Sequence, residues 1–312
     1  MRKLLILLPA LIPLIARGQN DIQLTQQFLS RINYNPAATG ASEYFNAYIL
    51  ARQDWVGYSR NTPVTQVLNV HNYFESLRSG MGLVVINDKI GATNTVNAKL
   101  DYGYHIHFGD NRSYLSLGLG AGVLYKNLDI NKLTPEDAGD PTIAGQLGSK
   151  VSPDFDFGVE FNTEEFQVGA SVTHLNVDPI MIQNIEQGRH FYFYSRYMFR
   201  LEPNWKIAPT LTWRMSGNFS GPQMKYGLNT MAYYRDRFWF GAAVRVSDEF
   251  VLETIAGIVG LFVTDFLRLG YSYDFNPGPI GKYSGGSHEI MLSVRLGKGD
   301  TRYSRKTPRF FE

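Results

Sequence analysis

Thr95-Val96-Asn97-Ala98-Lys99-Leu100-Asp101-Tyr102-Gly103-Tyr104-His105-Ile106-His107-Phe108 decides the fold class. Every even position from Val96 to Phe108 is apolar or aromatic. Every odd one from Asn97 to His107 is polar, charged or glycine. A period of two puts these sets on opposite faces of one β-strand. The same rhythm returns in Phe155, Phe157, Val159 and Phe161 against Asp154, Asp156, Gly158 and Glu160. It recurs in Phe166–Thr173, and in Leu267, Leu269, Tyr271, Tyr273 and Phe275 against Arg268, Gly270, Ser272 and Asp274. Ile290, Leu292, Val294 and Leu296 oppose Glu289, Ser293 and Arg295, with Met291 the one apolar residue on the polar side.

Working outward, about fourteen such segments fill residues 44–296. They start near residues 44, 64, 79, 95, 113, 154, 165, 189, 205, 224, 237, 251, 265 and 288. Most exceed the usual 5–6 residues of a soluble strand and suit the roughly 9–11 residues of a tilted membrane strand. Asn162-Thr163-Glu164 and Arg235-Asp236 read as hairpin links, and Asn127–Pro153 as a surface loop. A soluble sandwich would bury the apolar face, whereas a transmembrane barrel turns it to lipid around a polar lumen. Full charges on the polar faces (Lys99, Asp101, Asp154, Asp156, Arg268) favour the barrel. So do aromatics toward strand ends, such as Tyr102, Phe108, Phe191 and Phe275, and an even count that closes the sheet. The expectation is an all-β, antiparallel transmembrane β-barrel of about fourteen strands.

The ends follow their own logic. Arg2 and Lys3 precede an apolar run from Leu4 to Ile15, and Ala16-Arg17-Gly18 offers a small-x-small cleavage site. Residues 1–18 read as an export signal, too short to span a bilayer, with Gln19 the first mature residue. A buried N-terminal helix is the alternative, and Pro9 and Pro13 oppose it. Residues 19–43 then form a short periplasmic segment, 44–296 the barrel and 297–312 a C-terminal tail. The tail holds Lys298, Arg302, Arg305, Lys306 and Arg309 against Asp300 and Glu312, a net +3, and includes Pro308, Phe310 and Phe311. With an even strand count it faces the periplasm, placed to grip a protein by charge and aromatic anchors, or to serve as an assembly signal.

Composition narrows function. The 312 residues include no Cys, 30 Gly, 20 Phe and 19 Tyr, with a formal charge of +2. Thiolate metal sites, disulfides and an N-terminal lipidated Cys are excluded, and the balanced charge makes no case for nucleic acid. No G-x-S-x-G, H-E-x-x-H or phosphate loop appears, so no catalytic, cofactor or metal residues are expected. Gly118, Gly120 and Gly122 on one strand face read as close backbone packing or lumen space rather than a nucleotide loop. His105 and His107 share a face that lines a lumen or binds a metal. The row Asp154, Asp156 and Glu160 either pairs with lumen bases such as Lys99, Arg196, Arg245 and Arg268 or attracts cations. Arg52 and Trp55 are candidate partner-binding residues, with an interfacial anchor the alternative for Trp55. Asn35-Pro36 makes a local turn, and a part in plugging the barrel is a second reading.

Two stretches and the tail carry a family resemblance. Gln26-Gln27-Phe28 with Ile32-Asn33-Tyr34-Asn35-Pro36-Ala37-Ala38-Thr39-Gly40 resembles the N-P-A-x-x-G signature of the PorP/SprF family. Arg52–Tyr58 with Pro63 and Thr65 is similar to its R-x-Q-W-x-G…P-x-T segment, although Asp54 intervenes between Gln53 and Trp55. Ser287–Ser293 and Thr307–Phe311 match as well. The resemblance implies an outer-membrane barrel of the type IX secretion system of Bacteroidota, without enzymatic activity. It implies work beside periplasmic lipoproteins, and in some members with the C-terminal domain of a dedicated secreted protein such as a gliding adhesin. A porin-like or hydrophobic-solute transport barrel is the rival, and a soluble glycan-binding sandwich a second.

Overall fold

The computed structural model describes residues 22–297, apart from 43, 60, 109–112, 130–147, 177–187 and 219–220. Its strands are β1 (Phe45–Gln53), β2 (Val64–Phe74), β3 (Ser79–Ile90), β4 (Thr93–Phe108), β5 (Ser113–Leu128), β6 (Gly148–Asn162), β7 (Phe166–Thr173), β8 (Arg189–Tyr197), β9 (Phe199–Glu202), β10 (Trp205–Asn218), β11 (Gly221–Tyr234), β12 (Phe238–Ser247), β13 (Leu252–Phe262), β14 (Leu267–Phe275) and β15 (Ser287–Leu296). Each is antiparallel to its neighbour, and β1 pairs with β15 from Phe45↔Leu296 to Gln53↔His288, so the sheet closes. β8 and β9 both pair with β10 and are two pieces of one stave, interrupted at Met198. The result is a closed antiparallel barrel of fourteen staves. Closure gives every stave two neighbours, which removes the unpaired edge that hydrocarbon would penalise.

The faces sort as the alternation requires. Leu100 is 68% exposed, while its neighbours Lys99 and Asp101 are 4% exposed. Leu119, Leu211, Val259, Ile290 and Ile49 are likewise exposed on the outside. Asn69, Glu160, Asp274, Glu289 and Arg268 are buried on the inside. A sandwich would show the reverse. Tyr102, Tyr104, Phe108, Phe191, Tyr273 and Phe275 are exposed, as interfacial aromatics are.

The two rims differ. One carries the start of β1, the end of β15 and short links at 75–78, 109–112, 163–165, 203–204, 235–237 and 263–266. At 235–237 the chain turns through Arg235 and Asp236, both at positive φ (51° and 53°), with Arg237 N–H donating to Tyr234 at 3.0 Å. Two successive positive φ values make the primed turn that suits a twisted hairpin. The other rim carries the longer connections 54–63, 129–147, 174–188 and 276–286, as well as the short ones 91–92, 219–220 and 248–251. We call these the turn rim and the loop rim.

Two expectations need adjusting. Asn127–Pro153 reads as loop in sequence, but the β5–β6 ladder runs on to Leu128↔Gly148. Beyond the bilayer a ladder propagates by backbone bonds without apolar alternation, so the pattern does not announce it. The other adjustment is larger. Residues 22–42 lie inside the barrel, whereas the sequence places 19–43 ahead of it as a periplasmic segment.

Candidate functional site in the occupied lumen

The N-terminal segment crosses the lumen in three short 3-10 turns, Gln27–Leu29, Arg31–Asn33 and Pro36–Ala38. Asn35 starts the last of them, its side chain accepting from the Ala37 N–H at 2.9 Å, with Pro36 in the first position. Gly40 follows at φ +75°, where a side chain is strained and where a Cβ would stand 2.5 Å from the Gly80 Cα. The Asn-Pro-Ala-Ala-Thr-Gly run is therefore a capped turn that reverses under steric constraint. Both readings of Asn35-Pro36, local turn and plug, describe the same object.

The wall is shaped for it. Gly80, Gly103, Gly118 and Gly158 are successive cross-strand partners on β3, β4, β5 and β6. A Cβ on Gly80 would sit 2.0 Å from the Thr39 O, and on Gly103 2.7 Å from the same atom. On Gly118 it would sit 2.0 Å from the Ala37 N, and on Gly158 1.9 Å from the Asn35 Oδ1. A row of four glycines thus forms a trough into which the turn's backbone settles. Gly120 and Gly122 are equally crowded, by Asp101 and by the backbone of Ala98. Close packing is the correct reading of that glycine run.

Polar contacts fix the segment along its length. Near the loop rim the Thr25 and Gln26 N–H groups donate to Glu289 at 2.9 and 2.7 Å, and the Thr25 hydroxyl donates to Asp274 at 2.7 Å. Midway, Asn69 donates to Ser30 and Asn33 at 2.8 and 2.7 Å. Arg31 forms a buried ion pair with Glu160 at 2.8 Å, and the Tyr194 hydroxyl donates to the same carboxylate. Toward the turn rim, Ser171 donates to the Tyr34 O at 2.6 Å and the Gly40 N–H to His71 Nδ1 at 3.1 Å. His105 Nε2 lies 2.9 Å from the Thr39 O and Nδ1 2.7 Å from the Ser116 hydroxyl. A carbonyl only accepts, so Nε2 carries the proton and Nδ1 accepts from Ser116. His105 is occupied in holding the segment. Apolar anchoring comes from Leu24, Phe28 and Leu29, which join Tyr48, Leu50, Met231, Trp239, Ile258 and Met291 in one cluster. That cluster explains the apolar Met291 on a polar face.

The ion pairs are partly those the sequence suggests. Lys99 pairs with Asp156, and Arg245 with Asp274 rather than with the β6 row. Arg196 donates to the Tyr233 hydroxyl and Arg268 to Ser293. Asp154 meets His174 and Asn97. Sequence reasoning missed Arg31 as the partner of Glu160, because 129 residues separate them.

Of the candidate partner-binding residues, Arg52 is 6% exposed, bonded to Asp54, Asp274 and Glu289 at 2.7, 2.9 and 3.2 Å. It holds the loop-rim charges together, as an arginine at an inward register position among carboxylates does. Trp55 is half-buried in the β1–β2 connection at φ +49°, its N–H donating to Ser287 at 3.3 Å. Val56 and Gly286 tie that connection to the β14–β15 one at 2.9 Å. Arg305, Lys306, Pro308, Arg309, Phe310 and Phe311 lie outside the described residues.

The chain matches the family described as type IX secretion system membrane protein PorP/SprF over residues 16–294. It belongs to the PorP/SprF family. Its fold and its family place it in the outer membrane. Among solved structures it is similar to the Pseudomonas putida toluene transporter TodX at 9% identity and TM-score 0.51, covering 87% of this chain and 92% of that one. It is also similar to the Ralstonia pickettii toluene transporter TbuX at 10% identity and TM-score 0.50, covering 84% and 92%. At such identities the likeness is one of fold. No curated protein sequence matches. This PorP/SprF member has a secretion-system membrane barrel for its framework, and its lumen is filled by its own N-terminal segment.

Proposed function

We propose that this PorP/SprF member is a closed anchoring barrel of the type IX secretion machinery, exported after cleavage behind Gly18. The observation that carries this reading is the occupied lumen. A conduit needs a continuous aqueous path, whereas residues 22–42 are bonded to the wall from the loop rim to the turn rim. The rival, a transport barrel for hydrophobic solutes, draws on the likeness to toluene transporters. The cavity beside the segment, lined in part by Leu24, Tyr34, Tyr192, Trp213 and Arg214, is about 40 Å³, well short of the roughly 150 Å³ that holds one benzene.

Barrels of this kind place short turns in the periplasm and longer loops outside. On that rule the turn rim faces the periplasm, and the described chain ends at that rim with Gly297. We assign the basic 298–312 tail, with Arg305, Lys306, Arg309, Phe310 and Phe311, to a periplasmic lipoprotein of the machinery. Trp55 then lies on the outer side, available to lipid headgroups or to the C-terminal domain of a secreted protein, gliding adhesins included.

Planar-bilayer recording tests closure. The full-length barrel should conduct negligibly, and a chain lacking residues 22–42 should open; steady conductance by the intact protein would rule out the closed scaffold. Deleting residues 298–312 should leave insertion intact while reducing lipoprotein co-purification from native membranes at least several-fold. Unchanged recovery would remove the tail from the interface.

A further inference from the structure

One group of side chains in the lumen is not used by the plug. Asp154 and Asp156 point inward from β6, and His174 follows β7 at φ +60°, an uncommon conformation for a residue with a side chain. The ligand atoms of the three lie within 4.8 Å of one another, and all three residues are buried. His174 is held there by its backbone: its N–H donates to Asp156 at 3.0 Å, and the next N–H, of Leu175, donates to the Phe155 O at 2.8 Å. Its Nδ1 stands 2.9 Å from Asp154.

A second carboxylate source converges independently. Asp101 on β4 is cross-strand from Gly120, and Gly120 from Asp156, so no side chain separates the two acids. A Cβ on Gly120 would lie 2.6 Å from Asp101 Oδ1 and 3.2 Å from the Asp156 Cβ, so both acids border the space over Gly120. Asp101 is 4% exposed, and its Oδ1 has no hydrogen-bond partner among the described residues. Donors to the other two acids come from Asn97, Lys99 and His174. With His174 neutral, as a metal ligand must be, three buried carboxylates against the Lys99 ammonium leave two negative charges among these described groups. An isolated buried charge is costly, and a divalent cation removes both.

The geometry points to a divalent-cation site formed by Asp101, Asp154, Asp156 and His174. Three carboxylate oxygens and one imidazole nitrogen suit a four-coordinate first-row ion of the Zn²⁺ type. Ligands bonded at about 2.0–2.2 Å around a tetrahedral ion are roughly 3.3–3.6 Å apart, a small expansion from the spacing between His174 and Asp154. Such an ion clips β4, β6 and the connection after β7 together, one register step beside the glycine trough.

The test uses the full-length, untagged protein in detergent, stripped with chelator and titrated with Zn²⁺ by calorimetry, with bound metal counted by elemental analysis. The expected result is one equivalent per chain, with affinity at least tenfold weaker in D101N and in H174A. Heat-modifiable mobility in gels confirms that each variant is folded. His174 lies outside the strands, so H174A keeps the comparison open should D101N not assemble. Failure of the folded wild type to take up Zn²⁺ overturns the site, the excess charge then being carried by protons. Equal binding by wild type and both folded variants also overturns it, as adventitious surface binding.

Discussion

The two faces of the same strands obey different rules. On the outside, Leu100, Leu119, Leu211 and Ile290 need only be apolar, because lipid has no shape to match. On the inside, Asn69, Glu160, Gly118 and Glu289 each meet particular groups of the N-terminal segment. The outer face is therefore tolerant of shape and intolerant of charge, and the inner face the opposite. That asymmetry is what the variants below are designed to break.

The largest effect is expected inside. Arg31→Ala leaves Glu160 buried without its cation, which costs about 3–5 kcal/mol. Chemical unfolding in detergent should show it, and E160Q added to R31A should recover part of the loss. A double variant no more stable than the single one would mean that the pair is not what holds the segment. Next comes the outer face. Leu269→Arg puts a charge toward lipid on β14 and should cost up to about 2–4 kcal/mol, while Arg268→Leu, one residue away and facing Ser293, should cost less. Equal tolerance in a vesicle-folding assay would contradict the assigned faces.

Because the outer face depends on pattern alone, it was the legible half. Strand starts expected near residues 64, 79, 113, 189 and 205 agree with the observed ladders, and closure followed from the polarity of the hidden face. The plug was not legible in the same way. Its contacts span 36 residues from Asn33 to Asn69 and 263 from Gln26 to Glu289, and periodicity carries no information about such pairs. What the sequence did hold were anomalies: Met291 on a polar face, glycines at Gly118 and Gly158, and apolar Leu24, Phe28 and Leu29 in a segment assigned to water. Each is a place where a wall residue answers to something other than lipid or solvent. Asp154 and Asp156 were legible as a row able to attract cations, but the Asp101 and His174 that the proposal sets beside them come from a separate strand and a connection, so nothing in the sequence joined them. Arg52 shares its inward register with Tyr48 and Leu50, and periodicity alone does not name Asp274 and Glu289 as its partners there.

Glycine sharpens the contrast to the smallest scale. Gly118 and Gly257 are both strand glycines without side chains to pack, and β-propensity alone favours Val at either. A Cβ on Gly118 would overlap the Ala37 backbone, whose N–H is held by the Asn35 side chain. Gly118→Val should therefore cost about 1–3 kcal/mol or more, and should raise conductance as the turn is pushed from its trough. Gly257 lies exposed on β13 with nothing within 4 Å of the same atom. Gly257→Val should stay within about 0.5 kcal/mol of the parent, on the stabilising side, with conductance unchanged. If both substitutions destabilise alike, strand strain rather than the plug governs these positions. If only Gly118→Val opens the barrel, the inner face is selected for its occupant.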